Sequence, residues 1–145
     1  MNTTMAYPYF TAAAAAVLAV LQMLLLLYTA NGRGKYKAGL GDGGSAALLT
    51  RIRMHGNLAE NAPLFLILLA LVEISGQWGA FVPWIAIAFV VVRLSHAIGL
   101  AMSSGVTPFR FLGAAGTVVL ILTLAVLLFI TLSHDTSWMA PVMHG

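Results

Sequence analysis

Four long apolar runs, separated by short polar stretches, leave this chain little choice of fold. Residues 10–30 and 111–132 contain no Asp, Glu, Lys or Arg. Residues 58–74 carry only Glu60 and Glu73, near the two ends, and residues 81–102 are interrupted by Arg93 and His96. A helix that crosses a bilayer needs about 20 apolar residues. Lipid offers no partners to backbone N–H and C=O groups, so such runs must pair internally as helices. The expected fold is therefore an all-α integral membrane protein, a four-transmembrane-helix bundle. Its helices should cover about 10–30, 46–75, 81–102 and 111–132 of a single domain spanning 1–145. Only 8% of the residues are charged and 61% are hydrophobic, against about 25% charged in soluble domains. No segment is left over for a soluble domain. The first run has no Lys or Arg before it and is longer than a signal-peptide core, so it reads as a retained helix.

The charges that do occur are unevenly placed. Five of the seven Lys and Arg residues lie between the first two runs: Arg33, Lys35, Lys37, Arg51 and Arg53. The turn Ser75-Gly76-Gln77-Trp78-Gly79 has none. By the positive-inside rule the first connection is cytoplasmic, as is the third with Arg110, and both termini lie on the opposite side. Trp78, Trp84 and Trp138 fall near that opposite interface, where aromatic belts form. Residues 31–44 are Gly-rich and read as an irregular loop whose Arg33, Lys35 and Lys37 would meet lipid headgroups. Ser45 is placed to cap the second helix. The net charge of +3 belongs to this membrane flank; without interleaved base-stacking aromatics it does not indicate nucleic acid. The chain has no cysteine, so any thiol chemistry must come from a bound substrate. The four histidines lack metal-ligand spacing, and no metal site is expected.

One polar stripe enters the apolar runs. Arg53, Asn57 and Glu60 are spaced i, i+4, i+7 and share a helix face. Arg93 and His96 share a face of the third helix. A charge at the centre of a bilayer costs roughly 2.5–3.5 kcal/mol on insertion scales, so it has a partner or a ligand. Arg93 lies about 15 Å and Glu60 about 10 Å in from the same side, at 1.5 Å per residue. Two readings follow. Glu60 and Arg93 form a buried ion pair that fixes helix register, or the group forms a site for a small zwitterionic or anionic ligand. Arg110 on its own reads as a snorkelling anchor at the start of the fourth helix. The small residues 12–16, Gly99 and 113–116 read as ordinary close packing between membrane helices.

Arg-x-x-x-Asn-x-x-Glu-x-x-Pro over residues 53–63, then Arg93-x-x-His96, then Pro108-Phe109-Arg110, resembles the superfamily of membrane-associated proteins in eicosanoid and glutathione metabolism (MAPEG). The loop wording, Arg-Gly-Lys-Tyr-Lys then Leu-Gly-Asp-Gly-Gly, is similar to its bacterial branch, which implies a bacterial inner membrane. The resemblance implies a homotrimer that holds glutathione between subunits near the cytoplasmic face. Glutathione would contact Arg33, Arg53, Asn57, Glu60, Arg93 and His96, and Arg110 would activate its thiol. The implied function is a glutathione-dependent membrane transferase or peroxidase acting on lipophilic electrophiles that arrive through the lipid. The alternative within the resemblance is a non-catalytic, lipid-binding member or structural membrane trimer. Two tyrosines that hold glutathione in eicosanoid-synthase relatives are replaced here by Asn61 and Leu100. A small transporter is disfavoured by the lack of an inverted repeat.

Overall fold

The structure, a computed structural model, describes residues 7–103, 105 and 107–134. Four helices fill it: α1 (Tyr9–Tyr36), α2 (Ala46–Ile74), α3 (Val82–Met102) and α4 (Pro108–His134). All four are long and apolar enough to cross a membrane. The shortest, α3, has 21 residues and spans about 31 Å, close to the hydrocarbon thickness. Trp138, one of the expected interface tryptophans, lies outside the described residues.

The apolar core runs along the middle of the bundle, where Phe65, Leu69 and Val72 of α2 meet Val82, Ala86 and Phe89 of α3. The rings of Phe65 and Phe89 stack with centroids 3.6 Å apart. Most of the remaining large apolar side chains, such as Leu27, Ile67, Val91 and Leu122, point outward. In water that surface would be untenable; it suits a lipid-facing surface.

α1 is longer than expected. It continues six residues past Ala30, through Gly32-Arg33-Gly34, and ends at Tyr36. Glycine inside a helix costs about 1 kcal/mol relative to alanine, which is why composition alone reads as loop. The compensation at Gly32 is tertiary. A Cβ there would meet Arg51 Cδ at 2.9 Å and Leu48 Cδ1 at 3.0 Å, so the glycine lets α2 close on α1. The helix ends at Lys37, which takes a left-handed φ of 50° and donates its N–H to the Gly34 carbonyl.

The rest of the first connection does have irregular backbone, but Arg33 does not face headgroups. Its Nη1 reaches the carbonyls of Ala38, Gly39 and Gly41 at 3.4, 3.3 and 3.0 Å. It wraps the loop around itself. Ser45 caps α2 as expected, its Oγ accepting the Leu48 N–H at 3.2 Å. Pro63 is accommodated inside a continuous α2.

α3 and α4 form the most intimate pair, and glycines make it possible. A Cβ on Gly113 would strike the His96 backbone, with Cα at 2.6 Å and N at 2.7 Å; on Gly116 it would meet Val92 Cγ1 at 2.7 Å. Gly99 faces the backbone of Arg110 in the same way. α4 starts at Pro108, three residues before the expected boundary. Thr107 precedes it and caps it, accepting the Arg110 N–H at 3.1 Å, and proline suits the first helical position.

Candidate functional site

The polar residues gather at the end of the bundle that carries the first and third connections. Arg93 is the pivot. Its side chain is buried although it is charged, and it bridges three helices. From α3, Nη2 donates to the Gly113 carbonyl of α4 at 2.9 Å. Nη1 donates to the Asn57 carbonyl of α2 at 3.2 Å. Its guanidinium carbon also lies 5.8 Å from the Phe89 ring centroid, within cation–π range.

This corrects one expectation. Glu60 and Arg93 form no ion pair. Residue spacing gives the right depth for the contact but not the direction around the helix axis. Glu60 lies on the outer face of α2, with its carboxylate folded over its own helix, 3.7 Å from where a Gly56 Cβ would stand. Backbone carbonyls take the place of the carboxylate. That is an ordinary way to seat an arginine in a membrane protein interior, since polar side chains there pair with one another or with carbonyls.

The α2 stripe is built as the spacing predicts, but it faces outward. Arg53 and Glu60 are exposed and Asn57 is half-buried. Asn57 Nδ2 donates to the Arg53 carbonyl at 2.8 Å, and Asn61 Nδ2 to the Asn57 carbonyl at 2.7 Å. Among the described residues, the charged ends of Arg53 and Glu60 find no partner.

His96 sits beside this stripe, one turn from Arg93. Its Nδ1 lies 3.3 Å from the Arg110 carbonyl, and its Nε2 is buried without a hydrogen-bond partner, as is Arg93 Nε. The ring lies in the electrostatic field of Arg93, Arg110 and Arg53, so residues from α2, α3 and α4 share one electropositive region. Arg110 occupies the first turn of α4, where the helix dipole adds partial positive charge. Its Nη1 donates to the Gly105 carbonyl at 3.3 Å.

Arg33, the remaining expected contact, is committed to the loop carbonyls. Leu100 packs into the core beside Met54 and Leu58 and supplies no hydroxyl. The described residues contain no cluster of three or more His, Cys, Asp or Glu able to hold a metal ion. Gly99 and Gly113, which fix Arg110 and His96 against each other, carry no chemical groups of their own; the signal for them is the recurrence of glycine on facing helices.

Comparison with known proteins places the chain among relatives. The inner membrane protein YecN of Escherichia coli strain K12 is 34% identical over 88 residues, covering 58% of this chain and 67% of the relative. The same protein of the O6:H1 strain CFT073 matches to the same extent. The model of the MAPEG family matches residues 11–130. That match takes in every element of the polar region, from Arg53 on α2 to Arg110 on α4, together with all four helices that carry it: the chain belongs to the MAPEG family.

Proposed function

We propose that this protein is a glutathione-dependent transferase or peroxidase of the inner membrane, acting as a homotrimer on lipophilic electrophiles. The observation that carries the reading is the outward stripe of α2. Arg53 and Glu60 stand exposed, without partners among the described residues, in helices otherwise built for lipid. A charged stripe is costly against hydrocarbon, and it is relieved if a neighbouring subunit covers it and a charged ligand fills the gap. Both matched relatives are named as inner membrane proteins, which supports that location, with the first and third connections cytoplasmic by charge.

Glutathione presents two carboxylates, one ammonium and one thiol. Arg53 suits a carboxylate and Glu60 suits the ammonium, while Arg33 is held by the loop carbonyls. Asn57 would orient the peptide. Arg93 Nε and His96 Nε2 are the buried polar atoms that such a ligand would complete. The thiol must ionise to react, and a nearby cation favours the thiolate. Arg110 is the group for this step, because arginine stays charged even in an apolar site and the α4 N-terminus reinforces it. In conjugation the thiolate sulfur forms a bond to the electrophilic carbon, and the leaving group departs with its bonding electrons.

One observation favours the alternative, a lipid-binding member without catalysis. Arg93 spends two donor groups on tying helices together, and no tyrosine stands at Leu100 or Asn61. Calorimetric titration with glutathione in detergent, followed by conjugation of a chlorodinitrobenzene probe, separates the two. Binding with turnover is the expected result. Folded protein that gives neither heat nor product refutes the glutathione reading.

A further inference from the structure

Arg51 lies on the opposite side of α2 from Arg53 and takes no part in the site above. It lines a cavity of about 270 Å³ at the same end of the bundle. The floor is Ala47, Thr50, Arg51 and Met54, one face of α2, and the walls are Tyr28 of α1 and the end of α3 from Leu100 to Ser103. No acidic residue is among the described residues that line it.

The guanidinium of Arg51 is held in place from three directions. It stacks on the Tyr28 ring, 3.9 Å from the centroid. Its Nη1 donates to the Tyr28 carbonyl at 3.0 Å. Gly32 provides the notch it passes through, since a Cβ there would stand 3.1 Å from Nη1 and 2.9 Å from Cδ. The Thr29 hydroxyl also reaches the Arg51 carbonyl at 3.1 Å. A long side chain loses much rotamer entropy when fixed like this. What remains is the Nε/Nη2 edge, which has no partner among the described residues. That edge presents two parallel N–H groups, the geometry that matches a phosphate or carboxylate in bidentate fashion. Ser103 accepts the Gly105 N–H at 3.0 Å and keeps its own proton to donate. On the membrane side of this edge the apolar surface resumes at once, with Leu24, Leu27, Ile98 and Met102 exposed.

We propose that Arg51, pre-oriented by Tyr28 and Gly32 and joined by Ser103, binds a phosphate group at the membrane surface, that of an anionic phospholipid headgroup whose acyl chains lie along α1 and α3. Arg33 cannot serve this role, because its guanidinium is turned into the loop carbonyls. The site is separate from the proposed glutathione stripe, so either can fail without the other.

The test is native mass spectrometry of the full-length protein released from detergent with added phosphatidylglycerol or phosphatidylcholine. Phosphatidylglycerol should be retained preferentially. Arg51→Gln should weaken retention about tenfold or more, the scale of a bidentate charge-assisted contact. Gly32→Ala keeps every charge and displaces the Arg51 side chain, with Leu48 Cδ1 giving slightly, so it should weaken retention as well, which guards against misfolding of the first variant. A Lys35→Gln/Lys37→Gln double variant should retain the lipid. Millimolar inorganic phosphate distinguishes the sources. If it strips the lipid, the site recognises phosphate itself; if the lipid stays, the headgroup and chains are recognised together. Undiminished retention by Arg51→Gln, or loss confined to the double lysine variant, overturns the proposal.

Discussion

The carboxylate of Glu73, at the far end of α2, caps the N-terminus of α1 through Thr11. Its Oε2 accepts the Thr11 N–H at 2.8 Å and the Thr11 hydroxyl at 2.7 Å, and its Oε1 accepts the Phe10 N–H at 2.9 Å. The residue before α1 is Pro8, which makes no side-chain cap. The first N–H groups of a helix have no partner within it, and here another helix supplies one with a full negative charge on the positive end of the dipole. At the same end Trp78 donates its indole N–H to the Thr131 hydroxyl at 2.9 Å, tying the α2–α3 turn to the end of α4.

Glu73→Ala should lower thermal stability in detergent by the equivalent of about 1–2 kcal/mol, the cost of losing a helix cap. Glu73→Gln, which keeps one acceptor oxygen, should fall between the two. Glutathione titration should be unaffected in both, because the cap lies at the opposite end of the bundle from the stripe. Thermal unfolding at one fixed scan rate, since unfolding of such proteins is often irreversible, reads the first effect. A Glu73→Ala variant as stable as the parent would show that the cap contributes nothing.

Glu60→Ala should abolish glutathione binding while leaving stability within about 0.5 kcal/mol, as for other exposed substitutions. The direction follows from the geometry: Arg93 leans on the carbonyls of Asn57 and Gly113, not on Glu60. Arg93→Ala should do the reverse in stability. It removes the link from α3 to the Asn57 and Gly113 carbonyls, which keep Asn61 and Thr117 as donors, and opens a cavity between three helices, so a loss of several kcal/mol is expected. Comparable destabilisation by both variants would restore the ion pair.

Gly113→Ala tests the closeness of α3 and α4. The new methyl would meet the His96 backbone, which cannot rotate away as a side chain can, so the helices must part. Overpacking of this kind costs about 1–3 kcal/mol. The shift should also move His96 and Arg110 relative to each other, so turnover should fall along with melting temperature. Gly32→Ala is the contrast, because it meets the side chains of Arg51 and Leu48 rather than backbone, and should cost less.

Much of this arrangement is readable from spacing. Apolar runs set the number of helices, Ser45 announces a cap, and the i, i+4, i+7 pattern puts Arg53, Asn57 and Glu60 on one face. Spacing along one helix says nothing of azimuth relative to another, which is why Glu60 and Arg93 agree in depth and still do not meet. Composition also fails where a distant contact overrides a local cost. Gly32 looks like loop until Arg51 and Leu48 are seen to need the notch. The cap from Glu73 to Thr11 joins residues 62 apart, and no local pattern announces it.

Arg110→Ala is the variant that separates chemistry from architecture. The side chain is half-exposed, so its removal should cost about 1 kcal/mol or less. Thr107 would still cap α4 through the Arg110 backbone N–H, and Gly99 would still admit that backbone. Glutathione should still bind through Arg53, Asn57, Glu60 and Arg93, with little change in its titration. The bound thiolate, however, would lose its nearest cation. The charged form of the thiol would then be less favoured and its pKa should rise. Conjugation should slow about tenfold for each 1.4 kcal/mol of stabilisation lost. The ultraviolet absorption of the thiolate, followed against pH with glutathione bound, reads the ionisation directly, and Arg110→Lys should restore part of it. If thiol ionisation and turnover both match the parent, Arg110 is an interfacial anchor and the thiol is activated by another cation of the cluster.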